Sequence, residues 1–436
     1  MGHLVGKDLY RRLGRKIDNL HVRAPWNETF YQLIKELYSA EEAEVVVKMP
    51  YLLSNLDRIA NITKVEPSRL RTILENLCEK GLVMDAYLDD ETRYMPSPLF
   101  VGIFEFTMMR TDGNVDFSHI GPLFHQYMEE GAPYRANFSD GSKTSIARTV
   151  PHEEALGDHV EILDYERVAS LIDETDQYAV GICSCRHKQE HAGERQCDAP
   201  LDTCTTFGWA ADYMVRRGLC RRISKTEMQE IFARSRELGL IFSADNVQKR
   251  ITFVCHCCGC CCGIMAGLNK HGLTSTTVTS SFIAQVDEEK CAGCKQCLKA
   301  CHVNAIEMAP VESADTNGKK KSKAVIDESI CLGCGVCALK CSTGALKLVK
   351  REARVIHPET TFHRVILQCL ERGTLQNQIF DNPESITQDV LRYIVGAFFK
   401  LSPVKKALMS DALRSAFLSV MGSGVKVLGK GYIHEL

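Results

Sequence analysis

The sequence predicts a multidomain α+β protein with a helical first part, a cysteine-rich middle, a compact cysteine repeat and a helical last part. Three observations carry this reading. The chain has 436 residues, room for about two to four domains, and its 45% hydrophobic and 25% charged residues exclude wholesale disorder. Its 21 cysteines lie mostly between positions 183 and 341. Helical periodicity dominates on either side of that span, so the predicted boundaries are 1–96, 97–281, 282–350 and 351–436.

Composition and termini narrow the class. Residues 1–16 carry Lys7, Arg11, Arg12, Arg15 and Lys16 but no apolar core, so no export signal is expected and the predicted location is cytoplasmic. The longest apolar stretches, 257–268 and 393–399, fall short of the roughly twenty residues a membrane-spanning helix needs. A formal net charge of −2 gives no global pull toward nucleic acid. An odd number of cysteines, many in C-x-x-C runs and without an export signal, favours metal ligation over disulfides.

In the first part, 54–61 and 67–80 read as helices, the second with Leu70, Ile73, Leu74 and Leu77 on one face and Gly81 after its end. Residues 82–88, Asp89-Asp90 and 92–95 then read as a hairpin. That order resembles a winged helix, a fold often used on DNA. Charge argues for protein docking instead: residues 41–95 hold seven Lys or Arg against eleven Asp or Glu, with no basic stripe on the second helix.

The middle carries two cysteine groups. Cys183, Cys185, Cys197 and Cys204 offer four soft ligands, suited to iron–sulfur or to zinc. Arg186 stands beside them, either to offset cluster charge or as an exposed loop residue, and His187 and His191 read more simply as polar loop residues than as ligands. The second group, Cys255, Cys257, Cys258, Cys260, Cys261 and Cys262, follows a strand expected over 250–254. Six thiols in eight residues cannot all reach one cubane, because alternate side chains of an extended stretch point apart. The doublets at 257–258 and 261–262, each followed by glycine, are similar to the CCG motif of heterodisulfide reductase-like proteins. That family also needs widely separated copies and a later C-x-x-C.

The third group is the most specific. Cys291, Cys294, Cys297 and Cys301 are spaced C-x2-C-x2-C-x3-C, and Cys331, Cys334, Cys337 and Cys341 repeat the spacing forty residues on. Gly293 and Gly333 let each loop turn closely around inorganic sulfide. Zinc fits poorly, since it closes with four ligands and not with two interlocked sets. This segment resembles a bacterial dicluster ferredoxin domain. The resemblance implies one 4Fe-4S cluster on Cys291, Cys294, Cys297 and Cys341, and another on Cys331, Cys334, Cys337 and Cys301. Two features depart from the family: the proline usual after each fourth cysteine is His302 and Ser342, and a polar insert at 313–323 separates the halves. With the earlier cysteines, the arrangement resembles large ferredoxin-like proteins of anaerobes.

The last part predicts helices over 386–401 and 404–421, split by Pro403, which pack on their own core or lie against a partner or a membrane surface through 386–421. No phosphate-cradling glycine motif and no hydrolase-type nucleophile signature appears, so no catalytic residue is assigned. The expected function is single-electron transfer between redox protein partners, as a component of a larger anaerobic oxidoreductase. Its expected cofactors are two 4Fe-4S clusters in the repeat and up to two more in the middle, about sixteen irons in all, with zinc in one middle site as the alternative. Two other functions stay open: a redox-sensing transcriptional regulator that uses the winged helix, and a reductase with a substrate-accessible cluster in the 255–262 segment.

Overall fold

A computed structural model describes residues 2–139, 142–157, 161–314, 320–352, 355, 357–427 and 429–431. The linker-like stretch at 139–143 and the insert at 313–323 therefore lie partly outside the described residues.

Helices Gly2–Asp18, Glu28–Leu37 and Ala40–Lys48 open the chain, the third started by a reciprocal capping box of Ser39 and Glu42. The next helix is Leu56–Thr63, two residues later than expected. Ser54–Asn55 pairs as a short strand with Tyr94 and Arg93, and Asn55 caps the helix from that strand. Pro67–Glu79 buries Leu70, Ile73, Leu74 and Leu77. The hairpin Val83–Leu88 and Glu91–Pro96 turns at Asp89 and Asp90, with φ of 51° and 59°, as two-residue hairpin loops require. One apolar core runs from Leu13 through Phe30, Leu74 and Phe104 to Tyr134 and Phe253.

The middle is built on a seven-stranded sheet. Its strands run in the order Thr277–Val278, Ala147–Val150, Ile241–Asp245, Phe253–Cys257, Asp202–Phe207, Tyr178–Ile182 and Arg221–Ile223. All neighbours are antiparallel except the first pair. The strand expected over 250–254 lies three residues later, because Arg250 (φ 55°) still belongs to a turn. That shift puts Cys255 and Cys257 inside the sheet.

The cysteine repeat consists of two antiparallel pairs, Phe282–Val286 with Leu346–Lys350 and Ile306–Ala314 with Lys320–Ile326, and two short helices, Gln296–Ala300 and Val336–Leu339. The described residues of the insert, 313–314 and 320–323, lie at the far end of the second pair. Beyond it come helices Thr361–Arg372, Leu375–Ile379, Ile386–Lys400, Ser402–Leu408 and Asp411–Val427. The helix expected over 404–421 is thus broken near Met409, while Pro403 sits in the first turn of Ser402–Leu408, where its missing N–H costs nothing. Among the described residues no helix is long and apolar enough to cross a membrane.

Candidate metal centres

The repeat brings its eight cysteines to two places. Cys291, Cys294, Cys297 and Cys341 line one cavity of about 20 Å³. Cys301, Cys331, Cys334 and Cys337 gather beside it: burial first, then Cys334, Cys331 and Cys301, push the Cys337 thiol well above the ordinary range. Gly333 (φ 68°) sits against the Phe282 carbonyl, where any Cβ would collide. The Arg351 guanidinium donates to the Cys331 carbonyl at 2.5 Å and fixes this loop from behind.

The ten middle cysteines do not divide as their order in the chain suggests. Cys197 leaves the first group and joins Cys258, Cys260 and Cys261; these four sulfurs all lie within 4.8 Å of one another. The separations are 3.7 Å for Cys197–Cys258, 3.8 Å for Cys197–Cys261 and 3.5 Å for Cys260–Cys261. Four thiolates about 2.3 Å from one tetrahedral ion stand about 3.8 Å apart. Thiolates of a cubane hang on four different irons and must stand farther apart. The set therefore fits a single ion. Arg195 shapes the loop that carries Cys197, donating to the carbonyls of Cys197 (2.9 Å) and Ala199 (2.8 Å).

The remaining six, Cys183, Cys185, Cys204, Cys255, Cys257 and Cys262, form a second assembly. Sheet register sets Cys204 opposite Cys255. Cys183 and Cys185 bracket the start of helix Ser184–His191, and Cys262 immediately precedes helix Gly263–Asn269. Cys262 lies 3.1 Å from Cys257, and the Gly263 N–H donates to the Cys185 sulfur at 3.4 Å. Contact with a second thiol (Cys185 for Cys183, Cys204 for Cys255) and then burial push Cys183 and Cys255 far above the ordinary thiol range. As bare thiolates such neighbours would repel in a low dielectric; a cation-rich iron–sulfur centre matches the donor set. Six donors exceed what one cubane uses.

Arg186 stands between the two middle assemblies. It is 1% exposed, which settles it as a buried residue and not an exposed loop arginine. Its guanidinium donates to Thr203 Oγ1 (2.7 Å) and to the carbonyls of Pro200 (3.0 Å) and His256 (2.5 Å). Burial lowers its pKa, but Cys183, Cys258 and Cys257 reverse this and hold it above the usual arginine value. In return, a hydrogen bond from Cys261 and then the Arg186 charge hold Cys258 well below the ordinary thiol range, against its burial.

Other residues link the repeat to the middle. The Gly259 N–H, between Cys258 and Cys260, donates to His302 Nδ1 at 3.2 Å, which leaves His302 Nε2–H to donate to the Gly239 carbonyl at 2.7 Å. A Cβ on Gly259 would meet the His302 carbonyl oxygen at 2.9 Å, so the close seat needs glycine. One buried core also contains Cys257 and Cys262 together with Cys297, Cys331 and Cys337. His302 was visible as a departure at a proline position, but its partner Gly259 was not. His187 and His191 face each other at 2.9 Å, with Phe117 packed on both rings and the Met108 carbonyl on His187 Nδ1.

Sequence reasoning missed the space behind the six thiols. A cavity of about 340 Å³ opens from them between the first part and the sheet, and Glu105 lines it. Burial pushes the Glu105 carboxyl up to about 7, although it accepts from the Gly102 N–H at 3.2 Å.

Residues 290–345 match the family model described as a 4Fe-4S dicluster domain. No curated protein and no solved structure matches the chain. The dicluster ferredoxin domain expected from the cysteine spacing is present over that segment, and with its further cysteine assemblies the chain is an iron–sulfur protein of the electron-transfer type.

Proposed function

We propose that the chain carries single electrons from a redox partner protein through the ferredoxin repeat into a centre held by Cys183, Cys185, Cys204, Cys255, Cys257 and Cys262. The observation that carries this is the shared core: Cys257 and Cys262 belong to the same buried cluster as Cys297, Cys331 and Cys337. Clusters bound to these thiols supply one-electron exchange. The protein's own residues do the rest. Cys294, exposed at the repeat, offers the entry side, while Cys257 and Cys262 are buried at the far end. Arg186 offsets negative charge there, and His302 fixes the repeat on the loop between Cys258 and Cys260.

The first-part hairpin supports docking rather than DNA reading. Its Asp85 is engaged by Arg216 and Arg217 of the middle region, and Glu75 of the preceding helix also pairs with Arg217. The winged-helix-like module is thus held against its own chain. In this reading the protein works in the cytoplasm of an anaerobe, as an oxidoreductase component.

The four-thiol site takes a zinc ion, because a closed tetrahedral shell of cysteines is the structural zinc arrangement. This revises the count expected from cysteine supply from about sixteen irons to about twelve with one zinc, four per cubane-sized centre. Anaerobic purification followed by iron, sulfide and zinc analysis tests the reading. Iron near eight with no sulfide beyond the repeat's share would overturn the middle centre; zinc alone, without sulfide, would overturn electron transfer altogether.

A further inference from the structure

The cavity behind the six thiols is lined by many residues besides them. Its volume, about 340 Å³, takes in both the space beside the thiols and the space beyond them. The six thiols form part of its lining. The wall continues over Phe100, Phe104, Met109, Trp209 and Tyr213, and on to Tyr51 and Val425, on segments that carry no thiol. Trp209 is 38% exposed, so the chamber meets solvent at that edge.

The wall is also built under strain. Val101 adopts φ 53°, ψ 45°, a left-handed conformation that a β-branched residue avoids, and the following Gly102 is pinned through its N–H by the Glu105 carboxylate. This turn sets Phe100, Phe104 and Glu105 in the lining. Asp85, the other acid there, is taken by Arg216 and Arg217, which leaves Glu105 as the carboxyl facing an apolar space.

We infer that this chamber is a substrate site, in which an uncharged, ring-containing conjugated carbonyl compound of the quinone class is reduced beside the six-thiol centre. The inference rests on the electron-transfer reading above and adds a terminal acceptor. Three features select the class. Most of the wall is apolar or aromatic, and its guanidinium Arg186 is already bonded to Thr203, Pro200 and His256, so an uncharged molecule suits it best. Electrons arrive singly, so the substrate has to hold an odd electron between deliveries, which a conjugated ring does. A carboxyl in the wall offers a route for protons. The step balances as one quinone, two electrons and two protons giving one hydroquinone; both carbonyl C=O bonds become C–OH, and a one-electron donor protein is oxidised twice.

The test uses the full chain, loaded with metal under anaerobic conditions. Equilibrium dialysis with 1-naphthol, which has the ring but accepts no electrons, is expected to show one site per chain. The same probe is expected to alter the electron paramagnetic resonance signal of the middle centre and leave the repeat's signals as they were. Ala210→Trp, which inserts an indole from helix Gly208–Arg216 into the chamber, is expected to weaken naphthol binding about tenfold, the equivalent of about two buried methylenes. It should also raise the KM for 2-methyl-1,4-naphthoquinone, with reduced viologen as donor, by a similar factor. If Ala210→Trp fails to load iron, Ala210→Leu replaces it. No naphthol binding to wild type, or binding and turnover that ignore the insertion, overturns the chamber. A chain lacking middle iron would overturn the middle centre on which this inference rests, whereas full iron without naphthol binding would overturn only this inference.

Discussion

The repeat and the middle region hold similar numbers of cysteines and assemble them by opposite means. In the repeat, Cys291, Cys294 and Cys297 sit on one loop and the first turn of the helix that follows it, and a single partner, Cys341, comes from the other half. In the middle, the four-thiol shell spans residues 197 to 261 and the six-thiol shell 183 to 262. Cys204 meets Cys255 only because two strands pair in that register. Ligation in the repeat is therefore nearly local, while ligation in the middle is a consequence of the sheet. Metal binding and sheet formation should be coupled in the middle and much less so in the repeat.

Metal removal gives the largest test of that contrast. Anaerobic chelation should strip amide-exchange protection from Asp202–Phe207 and Phe253–Cys257 and lower the apparent Tm by about 10 °C or more. Helix Thr361–Arg372, whose Phe362, Ile366 and Leu370 pack in a separate core, should keep its protection. A stripped chain with an intact sheet would remove the distinction between the two regions. Next in size is Arg186→Gln. It withdraws a buried charge and its bonds to Thr203, Pro200 and His256, and should destabilise the chain by about 3 kcal/mol. Losing a positive charge beside the thiols should also lower the middle centre's midpoint potential by about 60 mV, a tenfold change for one electron. Redox titration should show the repeat's potentials unmoved; equal shifts in both would place Arg186 outside the local field assigned to it.

What could be read from the sequence follows the same divide. The spacing of Cys291 to Cys341 sufficed for the repeat because its geometry is written in consecutive residues. The middle ligands could be named but not grouped, since Cys197 and Cys204 are only seven positions apart and yet serve different assemblies. No periodicity carries that information; it resides in the pairing of Asp202–Phe207 with Phe253–Cys257 and in the Arg195-braced loop before it. The strand before Cys255 was expected three residues too early because Ile251 and Thr252 read as strand while Arg250 holds a turn. The chamber was illegible because its walls come from five or more separate segments. The Asp89-Asp90 turn and the buried face of Pro67–Glu79, both local features, were legible.

The first part is tied to the middle by ion pairs at Asp85 and not by thiols. Burial alone would raise the Asp85 carboxyl, but hydrogen bonds from Arg217 and then Arg216 more than reverse it, so its pKa lies below its ordinary 3.8. A depressed folded-state value means the contribution is complete above pH 3.8 and is lost as pH falls through the lower, folded value. Asp85→Asn should cost about 1–2 kcal/mol at neutral pH, discounted because Arg216 is partly exposed. Exchange in Val83–Leu88 would report it. The gap from wild type should stay constant from pH 7 to pH 5 and close only under stronger acid; a gap that closes near neutrality would point to a different group.

The smallest effect concerns the two places where the repeat lacks a proline after its fourth cysteine, and it sets one half of the repeat against the other. Ser342 is exposed, and its side chain caps nothing in the structure described. His302 is held at both ring nitrogens, by Gly259 and Gly239, and Asn269 donates to its carbonyl at 2.8 Å. The two positions are equivalent in the repeat and unequal in the fold. Ser342→Pro should therefore change stability by no more than about 0.5 kcal/mol and leave electron transfer as it is. His302→Pro should keep both cubanes of the repeat, since no ligand is lost, but it removes two hydrogen bonds at the contact with the middle. The expected cost is about 1–2 kcal/mol, with slower reduction of the middle centre when electrons are supplied at the repeat. Gly259→Ala attacks the same seat from the other side and should reproduce the slowing, because its Cβ would push against the His302 carbonyl. Stopped-flow reduction followed at the signals of each centre separates the steps. Equal behaviour of the two proline variants would mean that the His302 seat is only a contact and not the junction through which the repeat serves the middle.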